Sequence, residues 1–435
     1  LNMRKISLKE IDNISYGFHL GLLNKEILLN YLDKEKELNS NYRGNKIFRD
    51  RILFGRDRKK RKEFEEWIEK SNLRKDIQID RLPHHETHAW STCLPSPFNK
   101  SLCITCDARG DFESLTISTF NRNKKVLKKI YSSNSIDSLG YFYGRITGLL
   151  GFKPMRHEGK VTGLAAHGDY KKAINLMRKM IQFKKGKIIS FPGDYYSPFY
   201  YNYSKKLKKE ISKYKKVDIA AAAQKHLEDI LLKVFEYYCK KLKIKKTNLC
   251  LAGGVFANVR VNQILKESKF TKNVFIFPQM GDGGLCVGSA AYSQFVRGFK
   301  IKPVTTMYLG PYSKVNNKKI RSKFKKINIK KFVNTNITVN NICNDLISDK
   351  VIGVVAGRME FGPRALCNRS IIYSSNDETS NNWLNNRLNR SEFMPFAPVT
   401  IPELSKLSFK NLKSRDETLK YMTSTIDCTK LFLKR

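Results

Sequence analysis

The chain has 435 residues, 41% of them hydrophobic, and a formal net charge of +43 from 82 Lys and Arg against 39 Asp and Glu. That length and apolar content can supply cores for two or three domains, so a globular protein is expected. No run approaches the ~18 apolar residues of a membrane span, and no charged-then-apolar leader pattern is visible, which makes the cytoplasm the expected compartment.

Clustered Lys and Arg would point to nucleic acid, because they neutralise phosphates and release counterions. Here the excess is spread. Runs such as RDRKKRKEF (56–64), KKLKIKK (240–246) and KKIRSKFKKINIKKF (318–332) interleave with Asn and Ile, as on solvated helix faces. Nucleic acid is therefore not an expected partner. The nine cysteines form no regular framework. Cys103 and Cys106 lie three apart in the apolar run SLCITCD, where strand geometry puts them on opposite faces as buried thiols.

Residues 1–80 are highly charged and read as helices, with apolar positions of EFEEWIEK recurring at helical spacing. PHHETHAWS (83–91) then gathers His84, His85 and His88, three of only seven histidines. His84 and His88, four apart, project from one helix face at a spacing that suits a shared metal ion, though a hydrogen-bonded surface pair has the same spacing. SLCITCDARGDFESLTISTF (101–120) reads as a hairpin whose tight turn carries Gly110, with Asp107 ending its first strand. RHEGKVTGLAAHG (156–168) sets Glu158 and Lys160 around a glycine, either as a surface ion pair or as a charge pair that positions a carbonyl or phosphate.

Residues 217–242 form the clearest amphipathic helix, followed by the strand TNLCLAGG and a second helix. LAGGVFANVRVN (251–262) places Gly253 and Gly254 between strand and helix, where backbone N–H groups can hold an anion and Asn258 can reach ribose or phosphate; plain packing is the alternative. NVFIFP leads into PQMGDGG (278–284), a turn of the same character in which Gly281 and Gly283 flank Asp282, and then into a helix. Strand, glycine turn and helix in that order are α/β. Two imidazoles with the hard carboxylates of Asp107 and Asp282 suit Fe(II), Mn(II) or Zn(II), although spacing cannot show that they converge. Composition turns basic and loop-like over 297–320, a domain boundary. Beyond it come the strand KVIGVVAGR and GRMEFGPRALCNRSI (357–371), whose Arg358, Arg364, Arg369 and Ser370 can capture a phosphate or carboxylate, with Arg387 and Arg390 downstream.

In this order, HHETHA, CDARGD, EGKVTGLAAHG, LAGGVFAN, PQMGDGG, GRMEFGPRALCNRS and FMPFAP resemble the O-carbamoyltransferase family of nodulation and cephalosporin carbamoyltransferases, over about residues 80–425. The resemblance implies an α/β enzyme of two domains. Residues 1–305 would be an actin-like, ribonuclease-H-like ATPase domain, and residues 320–435 a YrdC-like domain, C-terminally incomplete. The family forms carbamoyl-adenylate from carbamoyl phosphate and ATP in the second domain, releasing pyrophosphate and phosphate. It then passes the carbamoyl group to a hydroxyl of a small acceptor, here expected to contain a sugar, at the metal-bearing first domain.

By position, the resemblance makes His84, His88, Asp107 and Asp282 the ligands of a divalent metal, iron(II) foremost. It puts Gly253, Gly254 and Asn258, with Gly281 and Gly283, at the nucleotide site. Arg364, Arg369 and Ser370 fall on the carbamoyl-phosphate motif. His85 and Glu86 would pack behind the ligands; His85 and Glu158 are also candidates to take the acceptor's proton, and Lys160 to offset leaving-group charge.

Three departures stand out. LNMRKISLKEIDNISYGFHLG has no counterpart of the family's opening strand and HDAS-like phosphate turn; Cys367 replaces a usual glycine, and Met394 a frequent arginine; and the family's C-terminal histidine- and arginine-bearing segment is not reached. A small hydroxyl acceptor is the expected partner, with a homodimer as an open option. The competing readings are a tRNA threonylcarbamoyl-transferring protein, which would lack the GRMEFGPRAL and FMPFAP region, and a non-catalytic ATP- or polyanion-binding remnant.

Overall fold

The computed structural model describes residues 6–17, 59, 62–198, 203–311, 322, 338–374, 379–388, 396–412 and 416–433. Strand β1 (Asn13–Tyr16) pairs in parallel with β2 (Gln78–Arg81), and helix α1 (His84–Cys93) follows at once. Residues 62–70 are helical as their periodicity implies, but the all-helical expectation for 1–80 fails at β1 and β2. The alternation in NISY and QIDR is too short to outweigh the surrounding charge in a sequence window.

Strands β3 (Lys100–Gly110), β4 (Glu113–Asn121) and β5 (Val126–Asn134) form an antiparallel meander. The β3–β4 hairpin turns on Asp111 and Phe112, both at positive φ, rather than on Gly110. Helices α2 (Leu139–Leu149), α3 (Glu158–Ala165) and α4 (Tyr170–Arg178) follow, then a small hairpin, β6 (Ile181–Lys184) and β7 (Lys187–Ser190). After α5 (Lys205–Ile211) comes the long helix α6 (Lys216–Lys241). Strand β8 (Thr247–Ala252), helix α7 (Val259–Glu267), strand β9 (Thr271–Ile276) and helix α8 (Leu285–Val296) complete the α/β part.

The central sheet has the order β5-β4-β3-β8-β9, with β3, β8 and β9 mutually parallel. This is a ribonuclease-H-like arrangement, and the expected α/β class stands. Because β3 is covered on both faces, it reads as a nearly unbroken apolar run. Leu102, Ile104 and Cys106 face a core shared with α2, α6 and α7, while Cys103 and Cys250 face Cys93, Trp90 and Phe295 of α1 and α8. Cys103 and Cys106 are thus buried on opposite sides, as their spacing requires. In KKLKIKK the lysines are exposed while Leu242 and Ile244 pack on the core, a solvated face. Most of the basic runs 318–332 and 56–64 lies outside the described residues, as do Arg390 and Met394.

Past α8 the chain runs back along the α/β part. Val304 N–H donates to Pro95 O, and Met307 is buried with Phe275, Phe277 and Tyr421. Then come α9 (Val339–Ile347), the antiparallel pair β10 (Ile352–Val355) and β11 (Arg369–Ile372), and short helices α10 (Ser380–Arg387), α11 (Pro402–Ser408), α12 (Glu417–Lys420) and α13 (Lys430–Leu433). Two polar links tie the α12 region to α7: Lys266 Nζ lies 2.7 Å from Asp416 Oδ2, and Asn262 Nδ2 donates to Thr423 O at 2.7 Å. No described helix is long and apolar enough to cross a membrane.

Candidate metal and phosphate site

The parallel strands β3, β8 and β9 end at one edge of the sheet, where open α/β sheets present their crevice. At the end of β3 the ladder to β4 loses register between Cys106 and Gly110, an irregularity that re-aims a side chain, here Asp107. Helix α1 begins above it. Its first N–H, that of His84, is caught by Asp111 Oδ2 at 2.8 Å, so the hairpin tip anchors the helix that carries the histidines. Gly110 is required beneath: a Cβ there would stand 2.0 Å from His84 Cδ2.

These constraints bring together the four residues expected as ligands. One ligand atom from each of His84, His88, Asp107 and Asp282 lies within 4.8 Å of all the others. His88 Nε2 is 3.2 Å from Asp107 Oδ2 and 3.5 Å from Asp282 Oδ1; His84 Nε2 is 3.9 Å and 3.7 Å from the same atoms. Both imidazoles are fully buried, whereas Asp282 is 64% exposed and opens the cluster to solvent.

Burial pushes the His88 imidazole down, but the facing carboxylates of Asp107 and Asp282 outweigh it and raise the group. Burial likewise pushes Asp107 up, and the two imidazoles overcome that, holding it well below the usual carboxylate range. The cluster is a pocket of negative potential built to face positive charge. His88 makes no hydrogen bond with either ring nitrogen although both are buried, an expensive state for a side chain without a ligand. Two imidazoles and two carboxylates converging on one point fit a divalent first-row ion in kind and number.

The glycine turns frame this cluster. Gly253 has φ +101°, and a Cβ there would stand 2.2 Å from Cys106 O, so only glycine fits. Its N–H donates to Met280 O at 2.7 Å, joining the two turns, and Gly254 N–H donates to Asp107 Oδ2 at 3.1 Å, holding a candidate ligand. Gly281 has open space where a side chain would stand, and Gly283 packs against Gln279; both flank Asp282 in the second turn.

Asn258 is fully engaged within the protein. Its Oδ1 caps α7 through Val261 N–H and accepts from Gln224 Nε2, while Nδ2 donates to Gln224 Oε1 and Thr162 Oγ1. Its amide has no donor left for ribose or phosphate. Gln224 also accepts from Tyr143 Oη at 2.7 Å and donates to Glu228, a network that sequence spacing could not reveal.

The candidates for proton transfer do not join the cluster. His85 Nδ1 is 2.8 Å from Thr105 Oγ1 on β3, so the ring turns into the core; burial, then His84 and His88, hold it far below its ordinary value and therefore neutral. Glu86 accepts from Trp90 Nε1 at 3.1 Å, a packing role. Glu158 Oε1 accepts from Met155 N–H at 2.6 Å, and the Lys160 ammonium lies over the Phe152 ring, so both hold the loop before α3.

In the 357–371 motif the expected donors divide. Arg369 Nη1 donates to Ala356 O and Asn368 O, each at 2.7 Å, and Ser370 Oγ accepts from Cys367 N–H, so both stabilise their own loop. Arg364 instead leaves the loop: its Nη2 donates to Ala257 O of the first domain at 3.1 Å. Glu360, absent from the expected set, is the loop's hub. One oxygen accepts from the N–H groups of Leu366, Asn368 and Arg369. Burial raises this carboxyl, but those backbone donors prevail and lower it. Cys367, at φ +73°, occupies a conformation that favours glycine.

The carbamoyltransferase N-terminus model matches residues 1–291 and the carbamoyltransferase C-terminus model residues 343–435, so the match begins well before residue 80. The uncharacterized protein MJ1051 of Methanocaldococcus jannaschii is 37% identical over 355 residues, covering 79% of this chain and 64% of that protein. Nodulation protein NolNO of Sinorhizobium fredii is 28% identical over 355 residues, 78% of this chain and 50% of its own length. The chain thus spans less than two thirds of these relatives. A crystal structure of HypF from T. kodakarensis aligns at a TM-score of 0.35 and 13% identity, over 51% of this chain and 37% of that one. On the two family models, which together take in most of its length, the chain belongs to the carbamoyltransferase family.

Proposed function

We propose that the protein is an ATP-dependent O-carbamoyltransferase. Water cleaves carbamoyl phosphate to carbamate and phosphate, the carbamate oxygen attacks the α-phosphorus of ATP to give carbamoyl-adenylate and pyrophosphate, and the carbamoyl group then passes to a hydroxyl of a small, sugar-containing acceptor. The observation that carries this reading is the joining of the four-residue cluster to the first glycine turn through the Gly254–Asp107 hydrogen bond.

His84, His88, Asp107 and Asp282 would hold a divalent ion, with iron(II) proposed. When bound, that ion supplies Lewis-acid stabilisation of phosphate or carbonyl charge. Gly254 fixes the Asp107 carboxylate, and Asp111 and Gly110 fix the two histidines, so the ligand geometry is set before substrate arrives. Exposed Asp282 marks the side from which a nucleotide and acceptor enter. In the transfer step the acceptor oxygen bonds to the carbamoyl carbon, the bond from that carbon to the adenylate oxygen breaks, AMP leaves with the bonding pair, and the hydroxyl proton passes to solvent water. We assign the residues 1–305 to transfer and 320–435 to adenylate formation.

His88→Ala tests the reading. It should abolish metal uptake and lower carbamoyl transfer by at least ~100-fold, while carbamoyl-phosphate-dependent exchange of pyrophosphate into ATP survives. Equal loss of transfer and exchange would sink the division of labour.

A further inference from the structure

The first glycine turn has the form of an anion site, but both of its glycine N–H groups and the Asn258 amide are engaged within the protein. Gly253 N–H goes to Met280 O, Gly254 N–H to Asp107, and the Asn258 amide to Gln224, Thr162 and Val261. Beside it stand the carboxylates of Asp107 and Asp282. With those carboxylates turned to the proposed divalent ion, a phosphate at the turn gains further from a cationic side chain that grips its remaining oxygens.

Arg364 reaches the turn from the other domain. The loop that carries it is steered onto both turns of the first domain. Phe361 N–H donates to Met307 O at 2.8 Å and its ring lies 6.3 Å from that of Phe277. Gly362, at φ +132°, lies so close to the second turn that a Cβ would stand 3.4 Å from Pro278 O. Arg364 then contacts Ala257 O, at the last residue of the first turn, through Nη2. Its Nε is buried and makes no hydrogen bond. Arg364 as a whole is half-buried, so its Nη groups stay within reach of a ligand, and the buried Nε is a donor that a phosphate oxyanion can meet together with a neighbouring Nη in a planar, two-pronged contact. Arg369 in the same motif has no such demand, because its donors already meet carbonyls of its own loop.

We propose that Arg364 is the phosphate-gripping residue of the first domain's glycine turn, delivered by the second domain, and not a ligand of a site within its own domain. The assignment rests on the carbamoyltransferase reading for the presence of a nucleotide at that turn. The shared chemistry is a terminal phosphate dianion, whether carried by the nucleotide or free.

Titration calorimetry of the full chain with AMP, inorganic phosphate and adenosine separates these sources. Arg364→Ala should weaken AMP binding about 10- to 100-fold, the loss of one charged hydrogen-bonded contact, and leave adenosine binding unchanged. Arg364→Lys should recover part of the AMP affinity, since it keeps charge without the fork. If phosphate alone shows the dependence on Arg364, the free anion is the ligand and the grip stands. AMP and phosphate affinities unchanged in Arg364→Ala overturn the proposal, as does a wild-type chain that binds neither. Only loss of both metal uptake and pyrophosphate exchange in wild type would also remove the carbamoyltransferase reading.

Discussion

The ligand cluster at the sheet edge and the 357–371 loop both looked from their composition like binding sites, yet they use their polar groups in opposite ways. In the cluster, neighbours do the positioning: Asp111 anchors the helix, Gly110 clears the His84 ring and Gly254 holds Asp107, while His88 keeps both ring nitrogens unspent. In the loop, Glu360, Arg369 and Ser370 satisfy one another's backbone and leave little for a ligand. A buried polar atom without a partner is the better guide to binding, because its desolvation is uncompensated until a ligand arrives. By that criterion Arg364 belongs with the cluster and Arg369 with the loop.

Separating the two regions is the strongest way to break the comparison. Lys266→Ala leaves the half-buried Asp416 with only its Thr418 donors, and should destabilise the protein by about 1–3 kcal/mol, read as a lowered denaturant midpoint. Gly110→Ala attacks the cluster alone: the new methyl drives the His84 ring aside, at about 1–3 kcal/mol of stability and ~10- to 100-fold in metal affinity. Calorimetry with Mn(II) or Fe(II) would show it, and unchanged affinity would mean that His84 is not a ligand.

The loop has its own signature in pH. The Glu360 carboxyl is lowered in the folded chain from 4.5, so its stabilisation is complete above that value and is lost as pH falls through the folded pKa. Amide shifts of Leu366, Asn368 and Arg369 should report a transition below pH ~4.5 that Glu360→Gln abolishes. The smallest effect is a gain. Cys367→Gly relieves a left-handed conformation and should add about 0.5–1 kcal/mol, measured as a raised midpoint with metal binding unaltered.

Much of the frame is legible in the residues themselves. The alternating runs of β3 and β4, the apolar stripe of α6 and the strand, glycine, helix succession around β8 and β9 are local patterns, and local patterns set element type. The i,i+4 spacing of His84 and His88 likewise fixes their shared face. Strands β1 and β2 are not legible in the residues, because four-residue strands carry too little periodicity against a charged background.

Other features depend on contacts between residues far apart in the chain. Asp107 and Asp282 are separated by most of the first domain, and they meet only because β3 and β9 end at the same sheet edge. That Asn258, His85 and Arg369 turn inward while Arg364 crosses to Ala257 depends on which partners the fold supplies, something no spacing encodes. Sequence determined the elements and the donor inventory, through short-range periodicity and chemistry. Tertiary structure alone decided which donors remain unspent, because hydrogen-bond satisfaction is a property of three-dimensional neighbours.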